Sequence, residues 1–232
     1  MQLNPIEQSF AVNFKYSLHF TSGLFESNND LFMKVIRSYK PNEKVKLLFV
    51  IDDGVLKNHP ELSEGIKDYC FLHNNQLQYT ECLVTPGGEK SKNNYDNVDR
   101  IIAAINDNAI CRHSFVVAVG GGAVIDMAGF AASIAHRGVK LIRIPTTVLS
   151  QNDAAIGVKN GINAYNKKNF IGTFAPPYAI LNDSKFLTSL EQRDWIAGVA
   201  EAIKVALIKD ADFYNTIKEN AIRLKERDMD AM

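Results

Sequence analysis

Residues 114–147 read SFVVAVGGGAVIDMAGFAASIAHRGVKLIRIPTT, and this stretch decides the fold. Its first part, 114–119, is an apolar run typical of a strand that is buried on both faces, and three glycines follow at once. The small, apolar segment 123–135 predicts a buried helix, and 139–144 predicts the next strand. Strand, glycine turn, helix and strand make up the βαβ unit of a parallel sheet, so we predict an α/β fold.

Apolar runs on both sides of this unit predict the rest of the sheet. Residues 45–51 and 79–84 predict two strands before it, and 178–181 predicts a short strand after it. Residues 95–105 carry one apolar face at helical spacing and predict a helix between them. Over 10–20, apolar and polar residues alternate, which predicts a half-buried N-terminal strand or hairpin.

Helical signals flank the sheet. Asp30 stands before an apolar set that includes Phe32 and Ile36, so it is a candidate cap of a short helix. From 191 to 209 the pattern turns helical, after a shift in composition near 188–191. We predict a Rossmann-like sheet domain over residues 1–189 and the beginning of a mainly helical domain over residues 190–232.

Composition and charge exclude several classes of protein. The 232 residues contain 26 Lys and Arg against 26 Asp and Glu, and a net charge of zero argues against a nucleic-acid binder. The cysteines, Cys70, Cys82 and Cys111, are odd in number and lack CxxC spacing, so we expect thiols in a reducing cytosol. The N-terminus, MQLNPIEQSF, has no signal-peptide pattern, and no apolar run approaches membrane-spanning length. We therefore expect a cytoplasmic protein that does not bind membranes.

The glycine turn is a candidate phosphate site. At Gly120–Gly122 the backbone can approach a pyrophosphate, and the helix that follows offers free N–H groups and the positive end of its dipole. No glycine stands at position 125, so the usual Rossmann fingerprint is absent and a tight turn without a ligand explains the triplet equally well. Asp126 is a carboxylate in an apolar helix, which predicts either a cap or a ligand contact.

Other polar residues follow the predicted strands. Asp52 stands where α/β sheets often hold an adenosine ribose, although an Asx turn is also common there. Glu89 and Lys92 can cap the next helix or form a surface ion pair. Several such residues at the carboxyl edge of one sheet favour a dinucleotide site. Residues 152–169, NDAAIGVKNGINAYNKKN, are rich in amides and ammonium groups and predict a site for an oxygen-rich anion.

Six segments carry a resemblance to a known family. In chain order they are PGGEKSK, GGGAVIDMAGFAA, HRGVKLIRIPTT, NDAAIGVK, KKNFIGTFAPP and GVAEAIK. As an ordered set, spread over about residues 45–210, they resemble the dehydroquinate synthase family of NAD-dependent sugar phosphate cyclases. The resemblance implies that the sheet domain binds NAD and that the helical domain binds metal and substrate.

The resemblance also implies a reaction. Bound NAD oxidises one substrate hydroxyl, phosphate leaves by β-elimination, the hydride returns, and an intramolecular aldol step closes a six-membered ring. A divalent metal, zinc or cobalt, polarises the reacting oxygens. Because the cofactor is regenerated in each cycle, the net reaction is not a redox reaction. The family implies a phosphorylated sugar as substrate and commonly a homodimer, for which the Phe- and Tyr-bearing N-terminal strand is a candidate interface.

Residue roles follow from the matched motifs. The positions that match substrate-holding and catalytic positions are Arg137, Asp153, Lys159, Asn169 and Lys204. The positions that match the cofactor site are Asp52, Glu89, Lys92, Gly121, Gly122, Asp126, Thr146, Thr147, Lys168 and Phe186. Glu201 matches a metal ligand, although Glu201 and Lys204 taken alone would be read as an ion pair on one helix face.

Two departures from the family pattern stand out. Members supply two histidine metal ligands after the glutamate, whereas all five histidines here precede Glu201, and a lone glutamate is not a zinc site. We therefore expect these residues to be part of a longer chain and expect the chain alone not to complete the reaction. Where dehydroquinate synthases read close to DSSVGGKTAVN, this chain reads DAAIGVKNGIN. Together with PGGE and FAPP, this sequence is closer to that of relatives that cyclise sedoheptulose 7-phosphate. DAHP and sedoheptulose 7-phosphate are therefore both candidate substrates.

Two other functions compete with the cyclase. Metal-dependent polyol dehydrogenases of the glycerol dehydrogenase type share the fold, the glycine triplet and PTT, but they resemble PTTAGTGSE where this chain reads PTTVLSQND. A non-catalytic NAD-binding pseudoenzyme would explain the missing histidine ligands. The lysine clusters after residue 152 favour the cyclase.

Overall fold

Eight strands form in the residues that the structure, a computed structural model, describes, which are 5–232. They are β1 (Ser17–Thr21), β2 (Val45–Asp52), β3 (Leu77–Thr85), β4 (Phe115–Gly120), β5 (Lys140–Pro145), β6 (Lys159–Ala164), β7 (Lys167–Phe174) and β8 (Ala179–Asp183). Six of them pair in parallel in the order β1-β8-β5-β4-β2-β3, and β6 and β7 form a separate antiparallel hairpin. The predicted α/β fold is confirmed.

The helices lie on both faces of the sheet and after it. They are α1 (Leu31–Tyr39), α2 (Asp53–Asn58), α3 (Leu62–Leu72), α4 (Tyr95–Asp107), α5 (Gly122–Ile134), α6 (Gln192–Lys209), α7 (Ala211–Glu219) and α8 (Ala221–Lys225). A short 3-10 helix, Glu89–Asn93, joins β3 to α4. In the described part of the chain, no helix is long and apolar enough to cross a membrane.

Strand β2 shows why the sheet needs helices on both sides. Leu47 and Phe49 pack into one core with α1 and α3, whereas Leu48 and Val50 pack into a second core with α4 and α5. Successive side chains of a strand point to opposite faces, so a continuous apolar run exposes apolar surface unless both faces are covered. Full burial of each such side chain contributes about 1.5–3 kcal/mol. This is why the apolar runs predicted β2 to β5 and β8 within a few residues.

Two local predictions were wrong in detail. The alternating pattern over 10–20 forms a strand only at Ser17–Thr21, because only those residues pair with β8. Residues 10–16 have no strand partner within the described chain, and their apolar side chains are largely exposed. Helix α1 begins where expected and Asp30 stands at its N-cap position, but the Asp30 side chain makes no capping hydrogen bond; the backbone N–H of Leu31 donates instead to Asn29 Oδ1 at 3.1 Å.

The hairpin β6–β7 was not predicted, because no strand was assigned to residues 159–174 from the sequence. It packs on α5: Ile162 belongs to the same core as α5, and the Ser133 and Thr173 hydroxyls lie 2.7 Å apart. The sequence of the hairpin is polar and rich in asparagine, so it lacks the β-branched pattern that announces a strand. Contact with α5 decides its structure.

Helix α6 is joined to the sheet through the turn that follows β5. Trp195 is fully buried against Val148 and Leu187, and its Nε1–H donates to the Leu224 carbonyl at 2.6 Å. A Cβ at Gly198 would overlap the side chain of Val148. The helix and the turn can therefore approach closely only because residue 198 has no side chain. The domain division at residue 190 stays a prediction.

The Gly198→Ala substitution tests this close approach. We expect it to lower the free energy of unfolding by about 1–3 kcal/mol, because the added methyl group overpacks a filled contact. Urea denaturation followed by circular dichroism would measure it. Gly65→Ala in α3 is the matched control, since its Cβ would meet nothing within 4 Å, and it should raise stability by up to about 1 kcal/mol. Equal changes in the two variants would contradict the packing argument.

Candidate active site

A cleft of about 680 Å³ lies at the carboxyl edge of the sheet. Strands β2, β4 and β5 are neighbours and end there at Asp52, Gly120 and Pro145. In open α/β sheets this edge is the usual place for a ligand. The predicted site residues that line the cleft are Asp52, Glu89, Lys92, Gly121, Gly122, Asp126, Thr146, Thr147, Asn169 and Phe186.

The glycine turn leaves one open position above the N-terminus of α5. A Cβ at Gly120 would lie 2.9 Å from Asp52 Cβ, and one at Gly122 would lie 2.8 Å from Ala154 Cβ, so both glycines are required by protein packing. A Cβ at Gly121 would meet nothing closer than Thr147 Cγ2 at 3.7 Å. Helix α5 has no side-chain cap, so its first N–H groups remain available to an anion.

Asp52 links the turns on either side of the cleft. Its Oδ1 accepts from the Gly54 N–H at 2.8 Å and caps α2, so the Asx-type turn considered for this residue is present. A Cβ on Gly87 would overlap the same carboxylate, so the turn after β3 passes directly over it. Burial raises the pKa of Asp52, against the lowering effect of the Gly54 hydrogen bond.

Lys92 is a buried cation at the base of the cleft. Its side chain is 2% exposed, its Nζ lies 2.8 Å from Asp126 Oδ2, and it also donates to Asn169 Oδ1. The surface ion pair considered for Lys92 is therefore wrong. Burial raises the pKa of Asp126, and the Lys92 hydrogen bond and charge oppose that rise. Breaking such a pair would leave an uncompensated buried charge.

Amide groups extend this network to the hairpin. Asn163 Oδ1 accepts from the Asn169 N–H at 2.8 Å, and Asn163 Nδ2 donates to Glu89 Oε1 at 3.1 Å and to Asn93 Oδ1 at 2.8 Å. Asn169 has a φ of 52°, a left-handed conformation that asparagine tolerates better than most residues. Both polar atoms of the Asn163 amide, and Oδ1 of Asn169, are therefore already bonded to other protein groups.

The remaining predicted substrate and metal residues do not line the cleft. Asp153, which lies between β5 and β6, and Lys159, the first residue of β6, are both exposed. Glu201 and Lys204 form the i,i+3 ion pair on α6, with side chains 15% and 59% exposed. The Glu201 hydrogen bond raises the pKa of Lys204, and the charge of Asp153 adds to the rise, so the three groups lie close together.

Two predicted residues lie elsewhere. Lys168 lines a neighbouring hollow of about 470 Å³ beside Lys90 and Asn93. Arg137 lies in a hollow with Cys111 and His113, just before β4 begins, and so at the amino edge of the sheet. The length of α5, about 20 Å, separates that edge from the cleft. Within one copy of the chain, Arg137 does not reach the cleft.

The described residues do not form a zinc site on their own. Within residues 5–232, no three His, Cys, Asp or Glu side chains come together as a metal cluster. Catalytic zinc takes three protein ligands, and the one candidate, Glu201, is paired with Lys204.

Two residues with a possible role in the site, His59 and Arg143, were not predicted from the sequence. His59 lines the cleft, its Nε2 lies 2.8 Å from Ser189 Oγ, and its ring stands edge-on to Phe186 at 5.3 Å. Arg143 is fully buried in β5 and bonds to the segment before β6. Arg143 had a signal: a cation inside the apolar run KLIRIP must find buried partners. His59 had none, because its surroundings come from distant segments.

A family model described as the N-terminal part of 3-dehydroquinate synthase matches residues 82–197, which is half of the chain. The chain belongs to the 3-dehydroquinate synthase family. The 3-dehydroquinate synthase of Helicobacter pylori (strain ATCC 700392 / 26695) is 37% identical over 201 residues, covering 86% of this chain and 55% of the relative. The chain thus spans about half the length of the curated relatives it matches.

Solved structures of the family agree with the fold. ValA, the 2-epi-5-epi-valiolone synthase from Streptomyces hygroscopicus subsp. jinggangensis 5008 with NAD+ and Zn2+ bound, matches with a TM-score of 0.82 and 30% identity over 95% of this chain and 57% of that one. A 2-deoxy-scyllo-inosose synthase complexed with carbaglucose-6-phosphate, NAD+ and Co2+ matches with a TM-score of 0.66 and 26% identity over 81% of this chain and 48% of that one.

The Asp52→Asn variant tests the electrostatics of the cleft. Because the fold raises the pKa of Asp52, it favours the protonated form, so the stability contributed by this group is full below its ordinary pKa and is lost as pH rises through the raised one. Asparagine stays neutral and keeps an Oδ1 acceptor for Gly54. We expect the variant to unfold at higher urea than the wild type near pH 7, with a smaller difference near pH 4. A variant less stable than wild type at both pH values would contradict this.

Proposed function

We propose that this protein is a NAD-assisted sugar phosphate cyclase of the 3-dehydroquinate synthase type. The observation that carries the proposal is the cleft at the carboxyl edge, where the predicted cofactor residues other than Lys168 converge in a chain of this family. In a polyol dehydrogenase the same fold would release NADH, and the sequence after PTT argues against that function.

The cleft fits a dinucleotide. The open position at Gly121 and the uncapped α5 suit a pyrophosphate, because backbone N–H groups can reach its oxygens there. The Asp52 carboxylate suits ribose hydroxyls, because it would accept hydrogen bonds from them. NAD, when bound, would take a hydride from the substrate and return it. The buried Lys92–Asp126 pair would hold the N-terminal part of α5 and the Asn169 amide in fixed positions beside it.

A phosphorylated C7 sugar suits the polar groups at the rim. We propose that Lys159 and Lys204 bind its anionic groups, since exposed ammonium groups suit phosphate and carboxylate, and that Asp153 and Asn169 bind its hydroxyls. Both DAHP and sedoheptulose 7-phosphate meet this description. The sequence DAAIGVKNGIN and the likeness to a 2-epi-5-epi-valiolone synthase support sedoheptulose 7-phosphate as the substrate.

A divalent metal, zinc or cobalt, belongs to the same proposal. Glu201 supplies one carboxylate for it, and that carboxylate lies close to Asp153 and Lys204. The described residues do not bring three possible ligands together, so they do not complete a metal site by themselves. Loss of bound zinc in a Glu201→Gln variant, measured by elemental analysis, would support the assignment, and unchanged zinc content would contradict it.

We further propose a cytoplasmic homodimer. The N-terminal arm, residues 5–16, exposes Phe10 and Phe14, which suits an interface. A substrate role for Arg137 would need a second copy, because Arg137 lies at the far edge from its own cleft. Monomeric behaviour in light scattering would contradict the dimer. If Arg137 acts across copies, mixing inactive Arg137→Ala and Lys159→Ala proteins should restore part of the activity.

The decisive assay offers the full-length natural protein NAD, zinc and either DAHP or sedoheptulose 7-phosphate. We expect phosphate release without accumulation of free NADH, because the hydride returns to the product within each cycle. The substrate that supports release identifies the branch of the family. Accumulation of NADH with polyols, without phosphate release, would identify a dehydrogenase, and NAD binding without either reaction would identify a pseudoenzyme.

The Gly121→Ala variant sharpens the cofactor part of this test. Its methyl group meets no protein atom closer than 3.7 Å, and its φ of −70° suits alanine, so the fold should be unchanged. The methyl group would stand where the pyrophosphate must approach, and we expect NAD affinity to fall by about tenfold or more, measured by calorimetry. Gly65→Ala is the control that should bind NAD as the wild type does. Equal NAD affinity in both variants would place the cofactor elsewhere.

A further inference from the structure

Arg143 is a fully buried cation whose partners all belong to one segment. It lies within β5 and is 0% exposed. Its Nη1 donates to the carbonyls of Ala155 at 2.8 Å and Gly157 at 2.5 Å. Its Nη2 donates to Asn160 Oδ1 at 2.8 Å and reaches the Lys159 carbonyl at 3.5 Å. These four acceptors all lie between 155 and 160, the segment that leads into β6.

Because Arg143 is buried, breaking its hydrogen bonds would be costly in free energy. Removing a guanidinium from water is expensive; here carbonyl dipoles and an amide oxygen replace water at Nη1 and Nη2, while the buried Nε has no partner among the described residues. Burial lowers the pKa of Arg143 to about 10, so the group remains charged at neutral pH. If the segment moved away, a charged donor would be left buried and unpaired, which is far more costly than the loss of a surface hydrogen bond.

Asn160 completes this arrangement. While its Oδ1 accepts from Arg143, its Nδ2 donates to the Ala175 carbonyl at 3.0 Å and to the Val158 carbonyl at 3.3 Å. A Cβ at Gly129 would overlap the Asn160 amide, so the missing side chain in α5 makes room for it. Threonine at position 160 has one hydroxyl in place of an amide and could not make all these bonds at once.

The segment lies between the residues proposed to bind substrate. Asp153 precedes it, Lys159 is part of it, and β6 continues to Asn163, which bonds to the Asn169 N–H. Asn169 in turn bonds to the buried Lys92. The position of Lys159 relative to the cofactor residues therefore depends on how firmly 155–160 is held.

We infer that Arg143 is a positioning residue for substrate: it holds 155–160 and thereby sets Asp153 and Lys159 relative to the cleft, with little effect on cofactor binding. This inference rests on the proposed function. It also explains the asparagine at position 160. Asn160 contacts Arg143 rather than a substrate hydroxyl. The asparagine in the sequence KNGIN therefore alters the site indirectly, through the contacts that hold residues 155–160.

The test compares Arg143→Gln, Arg143→Lys, Asn160→Thr and the Arg143→Gln/Asn160→Thr double variant in the full-length protein. We expect Arg143→Gln to raise the KM for the sugar phosphate by about tenfold or more, the equivalent of about one buried charged hydrogen bond, while the Kd for NAD stays within about twofold. Amide exchange in 155–160 should accelerate while residues 47–51 of β2 stay protected. Arg143→Lys keeps the charge, and its KM should lie between the values of Arg143→Gln and the wild type. The double variant should raise KM by less than the product of the two single-variant factors, because both substitutions break the same hydrogen-bonded arrangement.

Tyr16→Phe is the matched control. It removes the Tyr16 hydroxyl that donates to the Ile156 carbonyl at 2.8 Å, an exposed bond to the same segment, and it should change KM by no more than about threefold. If Arg143→Gln does not fold, Arg143→Lys and Asn160→Thr carry the same comparison.

Three results would overturn the inference: equal changes in KM and in the Kd for NAD, a loss of stability with KM unchanged, or wild-type amide exchange over 155–160. A wild-type protein that releases no phosphate would overturn the proposed function instead. In that case the exchange comparison decides alone: faster exchange confined to 155–160 supports the role of Arg143, and unchanged exchange overturns it.

Discussion

The structure depends on one constraint: a parallel sheet of apolar strands must be covered on both faces. Because β2 buries Leu47 and Phe49 on one side and Leu48 and Val50 on the other, helices must cross between successive strands. Every strand of this sheet then runs in the same direction, and the turns that follow these strands meet at one edge. The cleft, the open N-terminus of α5 and Asp52 lie together for this reason.

Two buried cations connect that edge to the polar hairpin. Lys92 joins α5 to Asn169, and Arg143 holds the segment before β6. Charges buried in a protein must be paired or hydrogen-bonded, so each cation restricts the backbone around it far more than an exposed lysine would. A chain segment with few apolar residues is held in this way without a core of its own. The part of the site proposed to bind substrate is therefore supported mainly by polar contacts, and the part proposed to bind the cofactor mainly by apolar packing.

Helix α6 carries Glu201 and Lys204 close to Asp153, so the metal and substrate sides of the proposed site meet near the turn after β5. Asn152 reinforces this junction, because its Nδ2 donates to the Gly198 carbonyl at 2.9 Å. The sheet and the first helix after it thus already orient the groups that any further part of the site would have to meet.

The sequence by itself determined the apolar strands β2 to β5 and β8, the glycine turn and the family, because apolar periodicity and short motifs are local properties of the chain. It also predicted residues that the structure brings together in the cleft, because the carboxyl ends of parallel strands converge and because the family motifs mark positions there. Only the tertiary structure decided that 152–174 contains a hairpin, that Lys92 is buried, that Arg137 lies at the opposite edge and that Arg143 supports 155–160. Each of these depends on contacts between segments far apart in sequence. For a polar side chain, such contacts, and not the residue type, decide whether it faces water, a ligand or a buried partner.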